Sequence, residues 1–380
     1  MTIDRSTIKR LRDSIQKNSQ DIKAVKEIIK IKAARTSIKK GNNEIPVRKA
    51  VINPNFSNKT VLTDSTWHYV ELFLKSHKEN EALNYWHQAE NFFKATQGLD
   101  MLSKPLTSYY CFLNATKALL TFRKVGFNLQ HGVSGESVAG RVNIQNEQIS
   151  IHPRGVLSGL CNYLNEPITH PKENYTLKDV LYNLEFIHRA YNMTYSNQPE
   201  LFIPVEDIRF VHDKTRKVGW LEVVLEPQYS NQATLTKLEG FSLDNYYSNS
   251  DFYVVRRNKT FYWDAPRNAP TAISLEKFKS YYSKNRKNVR YIFSPNKLWY
   301  IKRTNLTNGI INKSTLTLIF AAMHRLSEMS RYDPNTLDKH LSSTAGWLLS
   351  EFITKSAFQF IDMISSEVTG DDFRVTGFRT

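Results

Sequence analysis

The chain has 380 residues, of which 41% are hydrophobic, 23% charged and 12% aromatic, with 14 Gly and 13 Pro. This is a globular composition with room for two or three domains; it excludes a disulfide-stapled miniature, a collagenous repeat and a disordered chain. The net charge is +16, only Cys111 and Cys161 are present, and no run approaches 18 apolar residues, so we expect a cytoplasmic protein with structural thiols and no membrane attachment.

The charge is uneven. Residues 1–50 hold 14 Lys and Arg against 5 Asp and Glu. Residues 277–303 hold nine basic residues and no acidic one, which leaves the remaining 303 residues at −2. Two cationic segments on a near-neutral body suit a polyanion, with nucleic acid the commonest large one; the plain alternative is a solvated face.

Between residues 3 and 40, Ile3, Ile8, Leu11, Ile15, Ile22, Val25, Ile28, Ile29 and Ile31 recur every three or four positions among Lys and Arg. The spacing predicts a basic helical arm, suited to packing on the body, pairing with a second chain or lying on a polyanion, and Gly41 ends it. A turn-rich connector over 50–64 completes a first segment, 1–60.

A helical core is expected over 61–198. The run LTSYYCFLNATKALLTF after Pro105 is apolar nearly all round, which predicts a buried central helix. Within it Tyr110, Asn114, Lys117 and Thr121 follow i, i+4, i+7, i+11 spacing and share one face. A buried amide and ammonium need polar company, either an internal network or a bound ligand. Beyond Gly126 come Asn128 and His131, with Arg123 eight residues before the histidine. An imidazole moves protons near neutral pH and a guanidinium holds phosphate, which is most of what metal-free RNA cleavage requires. Residues 141–152 alternate as a short hairpin. His87, His188 and His324 read as structural or solvent-facing.

From Pro199 the period changes to two, predicting an antiparallel sheet of five or six strands to residue 303. Its last part interleaves Tyr281, Tyr282, Tyr291, Phe293, Trp299 and Tyr300 with Lys284, Arg286, Lys287, Arg290, Lys297, Lys302 and Arg303. Rings stack unpaired bases while cations neutralise phosphates, although a half-buried strand has the same pattern.

Helices return over 304–380 and are expected to pack back on the core. There Glu328 and Arg331, at i and i+3, with Tyr332 after them, form either a helix-ending ion pair or part of a site. Asp371 and Asp372 read as a solvated turn. The sequence holds no Gly-rich phosphate loop, GxSxG, HExxH or Cys/His zinc spacing, so no cofactor or metal is expected.

The segments NYWHQAENFFKAT, KPLTSYYCFLNATKALL, NLQHG, LSEMSRYDP and GWLLSEF together resemble the bacterial YaaC-like proteins. The helix ending KALL, followed by a loop with His-Gly, is also similar to the HEPN superfamily of helical domains, many of them ribonucleases of toxin–antitoxin and antiviral systems. That second likeness implies a HEPN-like core in an α+β protein, with Arg123 and His131 in catalytic roles and a homo-oligomer, since active HEPN domains commonly cleave as dimers. The resulting expectation is an RNA-binding protein of a bacterial defence or stress system, cleaving RNA without metal, with Tyr110, Asn114, Lys117, Asn128, Lys284, Arg286, Lys287 and Arg290 holding the nucleic acid. The rival expectation is a non-catalytic scaffold that assembles with copies of itself or with a protein from the same operon.

Overall fold

The computed structural model describes residues 12–23, 35–57, 60–138, 140–295 and 298–375. Of the expected arm, Ile3, Ile8, Leu11, Val25, Ile28, Ile29 and Ile31 lie outside the described residues, as does Lys297. In chain order the first half runs α1 (12–23), β1 (Arg35–Ser37), β2 (Lys39–Lys40), β3 (Asn43–Glu44), β4 (Val61–Thr63), α2 (Thr66–Ser76), α3 (Asn80–Thr96), α4 (Lys104–Phe122), β5 (Val133–Ser137), β6 (Glu147–Ile151), α5 (Val156–Tyr163), β7 (Glu173–Thr176), α6 (Leu177–Tyr182) and α7 (His188–Thr194). The second half runs β8 (Phe202–Asp213), β9 (Val218–Leu225), α8 (Gln232–Leu235), β10 (Phe241–Leu243), β11 (Val254–Arg257), β12 (Phe261–Tyr262), α9 (Ala272–Arg286), β13 (Val289–Ile292), β14 (Leu298–Lys302), α10 (Thr315–Tyr332), α11 (Pro334–Leu341), α12 (Gly346–Thr369) and β15 (Phe373–Val375). The protein is α+β, as its pattern predicts.

Two units divide the chain: Met1–Pro46, Asp207–Leu235 and Gly240–Tyr281 form one, and Val47–Glu206, Thr236–Glu239 and Tyr282–Thr380 the other. In the first, β10, β11, β9 and β8 lie side by side, with β12 added to β9 and β1 to β8. Residues 35–40, expected within the helical arm, are extended instead. Thr36 pairs with His212, and the Ile38 N–H reaches the Phe210 carbonyl at 3.0 Å. β-branched side chains suit that ladder better than a helix. Helix α9 stands where the basic, aromatic segment suggested strand; Ser274, Phe278, Tyr281, Tyr282 and Asn285 recur at helical spacing and all are buried. Phe278 packs among Phe210, Phe261 and Trp263 with ring centroids 4.9–5.6 Å away.

In the second unit α4 is the central helix. Twelve of its 19 residues are buried, and it packs against α3, α10 and α12, with Phe112 stacked on Phe360 at 4.3 Å. Strands β5, β6 and β7 form a small antiparallel sheet, and β14 joins β13 to the first residues of β8. The connector is not free: β4 pairs in parallel with β15, and Lys49 reaches Asp362 at 2.8 Å while the Val51 N–H meets Glu367 at 2.5 Å. Asp371 and Asp372, expected in a solvated turn, are buried. The first accepts from the Tyr69 hydroxyl at 3.1 Å and the second from the Lys49 N–H at 2.8 Å, because an unpaired buried carboxylate would be far too costly.

Candidate functional site

The polar residues of α4 meet those of α10 and of the loop before β5, all within the second unit. That loop is fixed by its backbone. The N–H groups of Val156 and Leu157, opening α5, donate to the carbonyls of Gln130 and His131 at 2.8 and 3.1 Å, and the His152 N–H donates to the Gly132 carbonyl at 3.0 Å. The two strands of chain cross at Gly132 and Gly155, both with positive φ. A Cβ on Gly155 would land on the Gly132 backbone, so only glycine permits the crossing.

So held, His131 is exposed, with Nδ1 hydrogen-bonded to the Tyr109 hydroxyl. Its ring lies 5.5 Å from that of Tyr109 and 5.5 Å from that of His324. Burial and then the Lys117 charge hold the His131 imidazole below its ordinary range. Lys117 is half-buried and lies over the Tyr85 ring at 5.5 Å; no carboxylate pairs with it among the described residues, and burial lowers its pKa too. Asn114 is buried and donates to the Tyr110 carbonyl at 2.8 Å, the i−4 bond of its own helix. Tyr110 stacks on Phe92 at 5.3 Å.

Behind this face lies an ionic layer. His324 is buried, and its pKa is pushed down to about 3, first by burial and then by the charges of His131, Arg325 and His152. It is therefore a neutral imidazole at pH 7. Glu328, half-buried, accepts from Arg325 at 3.2 Å and from the Gly135 N–H at 3.3 Å, and it lies 3.7 Å from His324. Arg325 also donates to Glu147 at 2.7 and 3.1 Å, and Glu147 accepts from Ser137 and His340 at 2.8 Å each. Burial pushes the Glu147 carboxyl up, but the hydrogen bonds of His340, Arg325 and Ser137 outweigh it and hold its pKa at about 2.

The structure thus brings together Tyr110, Asn114, Lys117, His131 and Glu328. It does not bring Arg123 to His131: that guanidinium donates to the carbonyls of Glu367 and Val368, at the end of α12, at 2.7–3.2 Å. Asn128 is exposed on the loop, and Arg331 and Tyr332 are exposed at the end of α10, the guanidinium over the ring at 4.9 Å. Of the four basic candidates after residue 283, Lys284 and Lys287 are exposed, while Arg286 and Arg290 are buried inside the fold.

Sequence reasoning missed Tyr109, one position off the polar stripe, and His324, which it read only as structural or solvent-facing. It also missed a cleft of about 720 Å³ in the first unit, where Arg35, Arg216, Arg256 and Arg257 meet Trp220 and Tyr246. Arg256 lies over the Trp220 ring at 5.9 Å, and the buried Trp220 Nε1 has no hydrogen-bond partner among the described residues. These residues come from four separate segments, and no local spacing announces them.

Among the described residues no group of three His, Cys, Asp or Glu side chains is placed to hold a metal, and no helix is long and apolar enough to cross a membrane. The molecule is an α+β protein with a buried central helix and a histidine–lysine–tyrosine cluster beside it. Residues 47–368 match the YaaC-like protein family, and the chain belongs to that family. No curated protein and no solved structure gives a match.

Proposed function

We propose that the protein binds RNA and cleaves it without metal at the His131 cluster. The observation that carries this reading is Lys117, a half-buried ammonium that pairs with no carboxylate among the described residues, beside the exposed imidazole of His131, whose Nδ1 is taken up by Tyr109. A scissile phosphate supplies the missing negative charge. With Nδ1–H donating to the Tyr109 oxygen, Nε2 carries the lone pair that takes the 2′-hydroxyl proton. The 2′-oxygen then bonds to phosphorus, the bond to the 5′-oxygen breaks, and Lys117 gives that oxygen a proton as it leaves. Low pKa values suit both groups to these roles near neutral pH. Kinship with HEPN domains is part of this proposal, with Lys117 in place of Arg123 as the cation. The arginine–tryptophan–tyrosine cleft of the first unit supports the binding half of it, since rings stack bases and arginines hold phosphates.

Single-stranded RNA incubated in EDTA is expected to be cut by the protein and spared by His131→Ala and Lys117→Met, both variants melting near the parent temperature. Intact RNA with the parent protein, or full cleavage by His131→Ala, overturns the proposal. A second reading, association of copies through the arm, is favoured by Ile15 and Ile22, which stand exposed seven residues apart on α1. Light scattering of Ile15→Lys/Ile22→Lys tests it; an unchanged mass refutes it.

A further inference from the structure

Arg286, Arg290 and Lys302 are each more than nine-tenths buried, and no carboxylate lies within ion-pair distance of any of them among the described residues. Their donors go to neutral oxygens. Arg286 bonds the carbonyls of Arg48, Lys49 and Val289; Arg290 bonds the Lys313 carbonyl at 2.9 Å and the Thr315 hydroxyl at 3.3 Å; Lys302 bonds the Ile311 carbonyl at 2.7 Å. Arg290 Nε is buried with no hydrogen-bond partner among the described residues. Buried cations answered only by neutral oxygens are costly, and an anion relieves that cost.

These three side chains, with Lys287, Lys313 and Glu166, line a cleft of about 120 Å³ within the second unit. Lys313 is satisfied by Glu173 at 3.1 Å. Glu166 is occupied, accepting from the Ser314 N–H at 2.8 Å and the Thr317 hydroxyl at 2.5 Å. Glu185 likewise accepts from the Thr315 hydroxyl at 2.7 Å; burial pushes both carboxyls up and Lys302 well down, each toward its uncharged form. The two guanidiniums, which stay charged, keep the floor of the cleft cationic, with exposed Lys287 and Thr304 at its mouth. Its volume has room for several waters, enough for a tetrahedral oxyanion and too little for a polynucleotide.

We propose that this cleft binds a phosphoryl group, carried either by inorganic phosphate or by a small phosphomonoester. Two guanidiniums around one small volume, with Lys287 at its mouth, match a doubly charged tetrahedral anion with several acceptor oxygens better than a flat, singly charged carboxylate. The site shares no residue with the His131 cluster and stands or falls separately from RNA cleavage.

The test is titration calorimetry and thermal melting of the full chain with inorganic phosphate and, separately, glycerol 1-phosphate, against sodium chloride of equal ionic strength. The melting temperature is expected to climb with the logarithm of the phosphoryl ligand concentration and to stay level in chloride. Tighter binding of phosphate identifies the free anion, and tighter binding of the ester a phosphorylated small molecule. Lys287→Gln, at the exposed mouth, is expected to weaken binding about tenfold while melting like the parent when no ligand is present, and Arg290→Lys to weaken it further. If Arg290→Lys does not fold, Lys287→Gln decides. No response beyond chloride, or parent-like affinity in Lys287→Gln, overturns the assignment.

Discussion

Replacing Glu147 with Gln tests whether the ionic layer behind His131 holds the β5–β6 hairpin in place. The carboxylate is 2% exposed and receives Arg325, Ser137 and His340 at 2.7–3.1 Å. An amide of the same shape keeps one acceptor but turns an N–H toward existing donors, and leaves Arg325 with Glu328 as its carboxylate and the Ser137 hydroxyl at 2.8 Å. Breaking a buried pair from one side costs about 3–5 kcal/mol, and the remaining Glu328 contact argues for the lower end. The titration gives an independent figure. A carboxyl moved from an ordinary 4.5 to about 2 has its ionised form favoured by about 3 kcal/mol on folding. Because the folded value is the lower one, this stabilisation is complete above pH 4.5 and is lost as the pH falls from there toward 2. Urea unfolding at pH 7 is expected to show Glu147→Gln destabilised by about 3 kcal/mol. Repeated at pH 3, the gap between parent and variant is expected to narrow. A loss below about 1 kcal/mol at pH 7, or a gap that does not change with pH, refutes the reasoning.

Two further substitutions separate the loop from the cation first suggested by the sequence. Gly155→Ala forces an alanine to φ +123° and a methyl onto the Gly132 backbone; a loss of at least about 2 kcal/mol and reduced RNA cleavage are expected, read by thermal melting and the EDTA assay. Arg123→Met removes three hydrogen bonds to the carbonyls that end α12, with an expected cost of about 1–2 kcal/mol and cleavage unchanged; a stable but inactive variant would return Arg123 to the chemistry.

The central helix was legible because an all-round apolar run of helical length has few other homes, and its polar interruptions, Asn114 and Lys117, marked the face that meets His131. Helix α9 was not, because Tyr281 and Tyr282 lie next to each other and their ring-and-cation surroundings imitate a strand. Arg286 and Arg290 look like surface charge until the carbonyls of Lys49 and Lys313 are seen to hold them. Long-range partners escaped for a plainer reason: Arg325 is 178 residues from Glu147 and His340 is 193 away, and no periodicity connects them. His324 shows the limit from the other side, since a histidine kept neutral by burial has the same sequence signature as one in water.

The docking of residues 49–63 has a consequence for biosynthesis. Lys49 finds Asp362 313 residues later, its N–H finds Asp372 323 residues later, and β4 waits for β15. At elongation speeds of about 5–20 residues per second, that stretch leaves the ribosome roughly 15–60 s before its partners exist. Until then Val61 has no strand to pair with, so the unit closes only after nearly everything else has been made, and an unpaired strand edge stays open in the nascent chain for that interval.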